Sequence, residues 1–230
     1  MIQLAFSTIL EQSFRARQRA IDRYCAANVD RYTAMAEFIR PDLHDDHAIY
    51  ARVAFAILSA NAPFKHAQAA LGYVLNRPQG HVNEGSLMRF GIIPARAAYL
   101  NALPVMSTLL RTPAESWHAY RMRLRHDVRG LGLAKASFAA CLLYPTTADL
   151  ACVDTHMQKV YFGHTKFHDL SVVDYLACER KVRAVAEKFS VGTFIAQWMI
   201  WDHVRGKIET HAIFPGAHKD VVASEPWREW

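Results

Sequence analysis

Apolar residues at helical spacing recur along almost the whole chain, and few helix-breaking residues interrupt them. Among 230 residues there are only 10 glycines and 9 prolines, and the two-residue alternation typical of β-strands is rare. In the segment 47–60, for example, Ile49, Val53 and Ile57 lie on one helical face. Alanine-rich stretches, which favour helices, fill much of the rest. The sequence therefore predicts an all-α protein.

Local signals predict where several helices begin and end. Pro63 suits the first turn of a helix. The sequence TPAE at 112–115 predicts a helix start with a capping box, and Ser171 begins a similar signal. A last helix is expected over about 193–204, closed by Gly206.

Composition excludes several classes of protein. Apolar residues make up 52% of the chain and charged residues 21%, which is typical of a chain with a buried core and excludes wholesale disorder. No apolar run reaches the roughly 18 residues that span a bilayer, and the segment 1–10 lacks the basic start of a secretory signal. We therefore expect an intracellular protein, in the cytoplasm or nucleoid, that contacts no membrane.

The cysteines form no CxxC pair, which argues against a zinc ribbon or a redox motif. Four cysteines in a chain of this length also form no dense disulfide scaffold. We expect buried free thiols at all four positions. These are Cys25, Cys141, Cys152 and Cys178.

Positive charge is concentrated in one short stretch. The chain has 27 Lys and Arg against 21 Asp and Glu, a net charge of +6. The segment 121–135 contributes most of this excess, because it holds five cations and a single acidic residue. The cations are Arg121, Arg123, Arg125, Arg129 and Lys135, and the acid is Asp127. We interpret the excess as a local, positively charged surface for a phosphate-bearing partner.

Gly130-Leu131-Gly132 lies at the centre of this stretch, between two predicted helices. Two glycines allow a tight turn and leave backbone N–H groups exposed at the start of the following helix. Amide donors and the helix dipole bind phosphate at such a position. A plain helix–helix turn is the alternative, and the flanking arginines favour the phosphate site.

Asp154 follows the apolar run 150–153 and stands at a predicted helix start, nineteen residues after Lys135. Taken alone, this is the position of an N-cap aspartate.

Together, the hairpin and the segment Val153-Asp154-Thr155-His156 resemble the helix-hairpin-helix DNA glycosylase superfamily, which includes endonuclease III and the 8-oxoguanine glycosylases. In that family a hairpin of the pattern LPGVGxKTA, here at 128–136, precedes a V-D-T/V-H segment. The LSAN sequence at 58–61 is similar to the family's LLSAQ, and GIIPARA at 91–97 is similar to GLYxxKA. The sequence QWMIW near the end resembles the apolar helix that closes the fold. The resemblance covers about 49–204.

The resemblance implies two helical subdomains that flank an active-site cleft, with a helix-hairpin-helix motif for DNA binding. The whole chain, 1–230, would form one glycosylase unit. Its central subdomain would span about 47–160 and contain the hairpin at 126–136. Its second subdomain would combine about 1–46 with 161–230.

The resemblance also implies a reaction, which is cleavage of the N-glycosidic bond of a damaged, mismatched or modified base that has been flipped out of the duplex. Asp154 would stabilise the positive charge that develops on C1′ and would orient or deprotonate the nucleophile.

The nucleophile stays open at this stage. Lyase members carry a lysine two residues after the second hairpin glycine, where this chain has Ala134. Lys135 comes one residue later, and one step along a helix rotates a side chain by about 100°. Either Lys135 contacts phosphate and water attacks the sugar, or a shifted turn restores Lys135 as the attacking amine.

The same resemblance implies further site residues. The DNA contacts would come from the hairpin, the cations beside it and the histidine after the catalytic aspartate: Gly130, Leu131, Gly132, Arg129, Lys135 and His156. A structural Na⁺ or K⁺ ion would bind the backbone carbonyls of His126, Val128 and Leu131.

A base pocket is predicted from two residues four apart, Gln197 and Trp201, which share a helix face. A glutamine and an aromatic ring can hydrogen-bond and stack a flipped base, whereas the alternative is that Trp198 and Trp201 are core residues. Asn61 would either fill the space left by the flipped base or act as the N-cap of the helix at Pro63.

Iron–sulfur members of the family carry four clustered C-terminal cysteines, but no cysteine follows Cys178 here. We therefore expect no iron–sulfur cluster and no required cofactor. The expected partner is double-stranded DNA with a lesion or modified base, bound by a monomer. Two alternatives stay open: a non-catalytic helix-hairpin-helix DNA-binding protein, which does not need Asp154, and an all-α protein-interaction module.

Overall fold

The computed structural model describes residues 2–163 and 170–206, with side chains described from residue 15 onward. Those residues form ten α-helices and one 3-10 turn, Met106–Leu109, and contain no β-strand, which confirms the all-α prediction. The helices are α1 (Ile2–Phe38), α2 (Asp46–Leu58), α3 (Phe64–Leu75), α4 (Glu84–Met88), α5 (Ala95–Asn101), α6 (Trp117–Asp127), α7 (Leu133–Leu143), α8 (Thr155–Phe162), α9 (Val172–Lys188) and α10 (Thr193–Arg205). None of the described helices is long and apolar enough to cross a membrane.

Several helix ends follow from local sequence signals. The Ser171 hydroxyl accepts a hydrogen bond from the main-chain N–H of Asp174 at 3.1 Å and begins α9, as predicted. Gly206 ends α10 with a φ of 62°, in the left-handed region where glycine has no steric penalty. All four cysteines are buried free thiols, also as predicted.

The predicted helix start at 112–115 is wrong. Helix α6 begins at Trp117, and Ser116 is its N-cap. Glu115 places both carboxylate oxygens 2.9 Å from the Arg123 guanidinium, one against Nε and one against Nη2. Glu115 also accepts the main-chain N–H of Thr112 at 3.4 Å, which is the local contact that a capping box makes. That contact closes a turn before Ser116 and does not begin the helix.

The helices pack in two groups. In the first group α2 packs against α3 and α7, and α7 packs against α6. In the second group α10 packs against α1, α8 and α9. The subdomain boundary at about 160 falls within α8, which packs against α9 and α10. Residues 164–169 and 207–230 of the second subdomain lie outside the described residues, and the subdomain boundaries stay a prediction.

Helix α1 holds α10 in place through a buried tyrosine. The Tyr32 hydroxyl donates a hydrogen bond to Asp202 Oδ2 at 2.7 Å, and both side chains are buried. The Tyr24 hydroxyl lies 2.9 Å from that of Tyr32, and the Tyr24 ring packs against His203. Asp202 is the neighbour of Trp201, so this network fixes the helix that carries the predicted base-pocket residues.

Candidate active site

A pocket opens where the two groups of helices meet. Aromatic rings and a few polar groups line it: Phe64, Lys135, Phe138, Cys152, Asp154, Phe194, Gln197, Trp198 and Trp201. Its volume is about 40 Å³. Asp154 and Lys135, which are nineteen residues apart in the sequence, are therefore brought together in one mostly apolar pocket.

Three donors fix the carboxylate of Asp154. Its Oδ1 accepts hydrogen bonds from the main-chain N–H groups of His156 and Met157, both at 3.0 Å, and so begins α8. Its Oδ2 accepts the indole N–H of Trp201 at 2.7 Å. The side chain stays half-buried at the pocket. The N-cap interpretation of Asp154 is confirmed, and the same geometry presents an oriented carboxylate to the pocket.

Side chains, instead of a neighbouring strand, hold the extended chain that leads to Asp154. Each main-chain N–H at 151–153 donates to one side chain of α9 or α10. The pairs are Ala151 with Glu179 (2.9 Å), Cys152 with Gln197 (3.0 Å) and Val153 with Tyr175 (3.2 Å). Glu179 also binds Arg121 at 2.7 Å in a buried ion pair. The backbone position of Asp154 is therefore set from two helices at once.

The amine of Lys135 faces the pocket. Its Nζ donates a hydrogen bond to Ser59 Oγ at 3.0 Å. Burial lowers the pKa of the Lys135 amine; nearby Cys152 and Asp154 act against that effect, and the Arg96 guanidinium adds to it. Burial raises the pKa of Cys152 itself to about 12, so its thiol is uncharged at neutral pH.

Lys135 lies in the first turn of α7. Gly132 is the N-cap, which makes Lys135 the third residue of the helix. Phe138, three residues later, shares the face that lines the pocket. Of the two alternatives for Lys135, this geometry favours the attacking amine over the phosphate contact.

The hairpin forms between α6 and α7, where it was predicted. The main-chain N–H of Leu131 donates to the Val128 carbonyl at 3.2 Å, and Gly130 has a φ of 92°. A Cβ atom at Gly130 would overlap the Tyr99 ring. Gly132 begins α7 without a side-chain cap, so the first N–H groups of α7 have the arrangement that binds phosphate.

Gly130→Ala is expected to lower the free energy of unfolding by about 1–3 kcal/mol, because alanine disfavours the left-handed backbone and its methyl group displaces Tyr99. Gly132→Ala is the matched control, since its φ is −74° and an added Cβ meets no atom within 4 Å. Urea unfolding measures both variants. Equal losses at the two positions would contradict the steric requirement at Gly130.

The interpretation of 121–135 as a positively charged surface is wrong for most of its cations. Arg121 is fully buried and paired with a glutamate of α9. Arg123 is half-buried in an ion pair, and Lys135 faces the pocket. Only Arg125 and Arg129 of the five are exposed. Part of the positive charge that the sequence concentrates at 121–135 is therefore neutralised by acidic residues elsewhere in the chain.

The predicted base-pocket residues lie in the pocket, although each also holds a neighbouring group. The side-chain carbonyl of Gln197 accepts the main-chain N–H of Cys152, which leaves the amide nitrogen as the group it offers to a ligand. The Trp201 ring lies 5.3 Å from the Phe64 ring, and its N–H binds Asp154. Trp201 is therefore more than a core residue.

Three further residues of the predicted DNA contact, His156, Arg129 and Asn61, lie at accessible positions. The imidazole of His156 is edge-on to the Trp201 ring at 6.1 Å. The Arg129 guanidinium lies 5.4 Å from the centre of the Tyr99 ring. Asn61 is exposed, with a left-handed φ of 49°. It does not cap α3, because the N-cap position of that helix is Pro63 and no side chain bonds there.

Sequence reasoning missed several residues of the site. Ser59 and Arg96 belong to the LSAN and GIIPARA segments, so the resemblance contained a signal for both. The aromatic residues that line the pocket had no such signal in the sequence. An aromatic residue on an apolar helix face has the same sequence pattern whether it packs in the core or lines a pocket. Those residues are Phe64, Phe138 and Phe194.

Solved structures of DNA glycosylases are similar to this chain at the level of the fold. The 8-oxoguanine DNA glycosylase of Thermotoga maritima is 19% identical, with a TM-score of 0.65 over 86% of this chain and 98% of that chain.

The 8-oxoguanine DNA glycosylase of Methanocaldococcus jannaschii is 17% identical, with a TM-score of 0.69 over 86% of this chain and 97% of that chain. The glycosylase/lyase of the same organism, in complex with a 15mer DNA containing 8-oxoguanine, is 18% identical, with a TM-score of 0.68 over 83% of this chain and 97% of that chain. No protein-family model and no curated protein matches the sequence.

Proposed function

We propose that the protein is a bifunctional DNA glycosylase, which releases a modified base and then cleaves the strand through a covalent intermediate on Lys135. The observation that carries the proposal is the meeting of the Lys135 amine and the Asp154 carboxylate in one mostly apolar pocket. An oxidised purine such as 8-oxoguanine is the first substrate to test, because the structural neighbours are 8-oxoguanine glycosylases.

Asp154 would stabilise the reaction electrostatically. Positive charge develops on C1′ as the base departs, and a carboxylate that is already oriented needs no reorganisation to face it. The Trp201 indole and two backbone amides hold Asp154 in that orientation. The same carboxylate can accept a proton from the attacking amine.

Lys135 would supply the electron pair. Its neutral amine attacks C1′, a C1′–Nζ bond forms, and the N-glycosidic bond breaks with its electrons leaving on the base. The amine then passes a proton to Asp154. Opening of the sugar ring then breaks the C1′–O4′ bond, and O4′ takes the proton back from Asp154. A protonated imine on Lys135 and a hydroxyl on C4′ remain. The lowered pKa of Lys135 supports this role because it increases the fraction of neutral amine.

The pocket supports recognition of a flipped base. Aromatic rings would stack it, and the Gln197 amide would donate a hydrogen bond to an acceptor on its edge.

DNA would be held by the hairpin. The amides at the start of α7 would bind a backbone phosphate, with Arg129 and His156 as further contacts and Asn61 near the space left by the flipped base. A Na⁺ or K⁺ ion would use the carbonyls of His126, Val128 and Leu131. The Val128 carbonyl already accepts one hydrogen bond, and a carbonyl oxygen has a second lone pair.

The test is a panel of labelled duplexes that each contain one modified base. We expect base release and strand cleavage for at least one oxidised purine, and none for the unmodified duplex. Salt-dependent binding of every duplex without base release would support the non-catalytic DNA-binding alternative. An affinity for DNA too weak to measure at low salt would overturn the DNA-binding role itself.

A further inference from the structure

We propose that Arg96 is a positioning residue for the Lys135 amine, which it affects in two ways: through the two carbonyl groups that flank Ser59, and through its buried positive charge. This inference rests on the proposed function, in which Lys135 is the nucleophile.

Arg96 is a buried cation that binds backbone oxygens. Its side chain lies on α5 and is only 6% exposed. Its Nη1 donates to the Leu58 carbonyl at 2.6 Å, and its Nη2 donates to the Ala60 carbonyl. These carbonyls lie at the C-terminal end of α2, where the helix dipole favours positive charge. The planar guanidinium therefore clamps the backbone on both sides of Ser59.

Ser59 transmits this clamp to the amine. Its hydroxyl donates to the Ala56 carbonyl at 3.1 Å. Since its proton is used there, the Ser59 oxygen is an acceptor, and Lys135 Nζ donates to it at 3.0 Å. The position of the amine thus depends on a backbone loop that Arg96 holds from the opposite side.

The charges around Lys135 give Arg96 a second effect. The titratable and charged groups that act on the amine are Cys152 and Asp154 from the chain before α8 and Arg96 from α5. Helices α3 and α10 contribute only aromatic rings and the Gln197 amide to the pocket. Burial is the main cause of the lowered pKa of Lys135; Cys152 and Asp154 act against it, and Arg96 adds the smallest of the four effects as the cation that lowers the pKa further.

The experiment uses the full chain and a duplex with one abasic site, which needs no base recognition. Cyanoborohydride traps the imine, and the trapping rate is measured from pH 5 to about pH 10 for wild type, Arg96→Gln and Arg96→Lys. Removing the cation in Arg96→Gln is expected to move the midpoint of the profile upward, and so to slow trapping at neutral pH about twofold or more. Arg96→Lys keeps the charge but not the two-point clamp, so we expect an unchanged midpoint and a lower plateau.

A purely structural role would lower the rate of Arg96→Gln equally at every pH with an unchanged midpoint, and that result would overturn the inference. If Arg96→Gln does not fold, Ser59→Ala tests the same chain of contacts. We expect it to lower the plateau severalfold without moving the midpoint, and an unchanged plateau would count against the inference.

A second measurement separates this inference from the proposed function. Acetic anhydride labels only neutral amines, and mass spectrometry quantifies the label on Lys135 in the protein without DNA. We expect Arg96→Gln to reduce labelling of Lys135 about twofold or more at neutral pH relative to wild type. If that difference is found and no DNA adduct forms, the proposed function fails and the inference stands. If an adduct forms and labelling is unchanged, the inference fails and the proposed function stands.

Discussion

Asp154→Asn is expected to slow base release by about 10²–10³-fold, the loss typical when one preorganised electrostatic group is removed from a transition state. Binding of the same duplex should stay within about twofold. Asparagine is as good an N-cap as aspartate, so the substitution removes the negative charge and largely preserves the start of α8. The asparagine NH2 group cannot accept the Trp201 N–H, and Trp201→Phe measures the effect of that lost bond separately. The loss would therefore report on charge at C1′ and not on an unfolded helix. Single-turnover base release and a binding titration at fixed salt measure the two effects.

Asp45→Asn is the matched control for this substitution. Asp45 caps α2 by accepting the main-chain N–H of His47 at 2.9 Å, and it is exposed. We expect Asp45→Asn to retain full activity. Trp201→Phe removes only the indole donor to Asp154, so its loss should be smaller than that of Asp154→Asn. Full activity of Asp154→Asn would contradict the assignment of this residue.

Helix ends that depend on neighbouring residues could be predicted from the sequence. Ser171, Asp154 and Gly206 each act within one turn of the helix they begin or end, so a short window of sequence contains the whole interaction. The segment 112–115 shows the limit of such signals. Its glutamate pairs with Arg123, eight residues along the chain, and an ion pair of that span has no local pattern.

The charge of the segment 121–135 did not predict a positively charged surface correctly, again because contacts between residues far apart in the sequence decide the outcome. Arg121 is neutralised by Glu179, 58 residues away, and the pair lies in the core. A sequence gives the number of charges in a segment. Their exposure depends on which helices pack together, and here α7 and α9 bring the buried partners to α6.

The candidate site was predictable where its residues share a motif, as the hairpin and Asp154 do. The direction of Lys135 was not predictable, because it depends on which face of α7 packs toward α2. The role of Gln197 was only partly predictable. Its position in the pocket followed from its spacing to Trp201. Its hydrogen bond to the Cys152 backbone joins residues 45 apart, and no local sequence pattern predicts a contact of that span.

Lys135→Gln is expected to reduce the covalent adduct with DNA to below about 1% of the wild-type level, because an amide cannot form an imine with C1′. Borohydride trapping on a duplex with an abasic site, followed by denaturing electrophoresis, measures the adduct. Lys159→Gln is the control, since Lys159 is exposed on α8 and lies outside the pocket. Its adduct should equal that of wild type.

The pH dependence of the wild-type adduct provides an independent check on the same amine. Only the neutral amine attacks, so trapping should rise with pH through the pKa of Lys135 and then level off. Because burial lowers that pKa, the midpoint should lie below the ordinary lysine value of about 10.4. A midpoint near the ordinary value, or an adduct that survives in Lys135→Gln, would mean that another amine attacks. Base release by wild type without any adduct would mean that water attacks C1′ while Asp154 keeps its role, because charge develops at C1′ whichever nucleophile arrives.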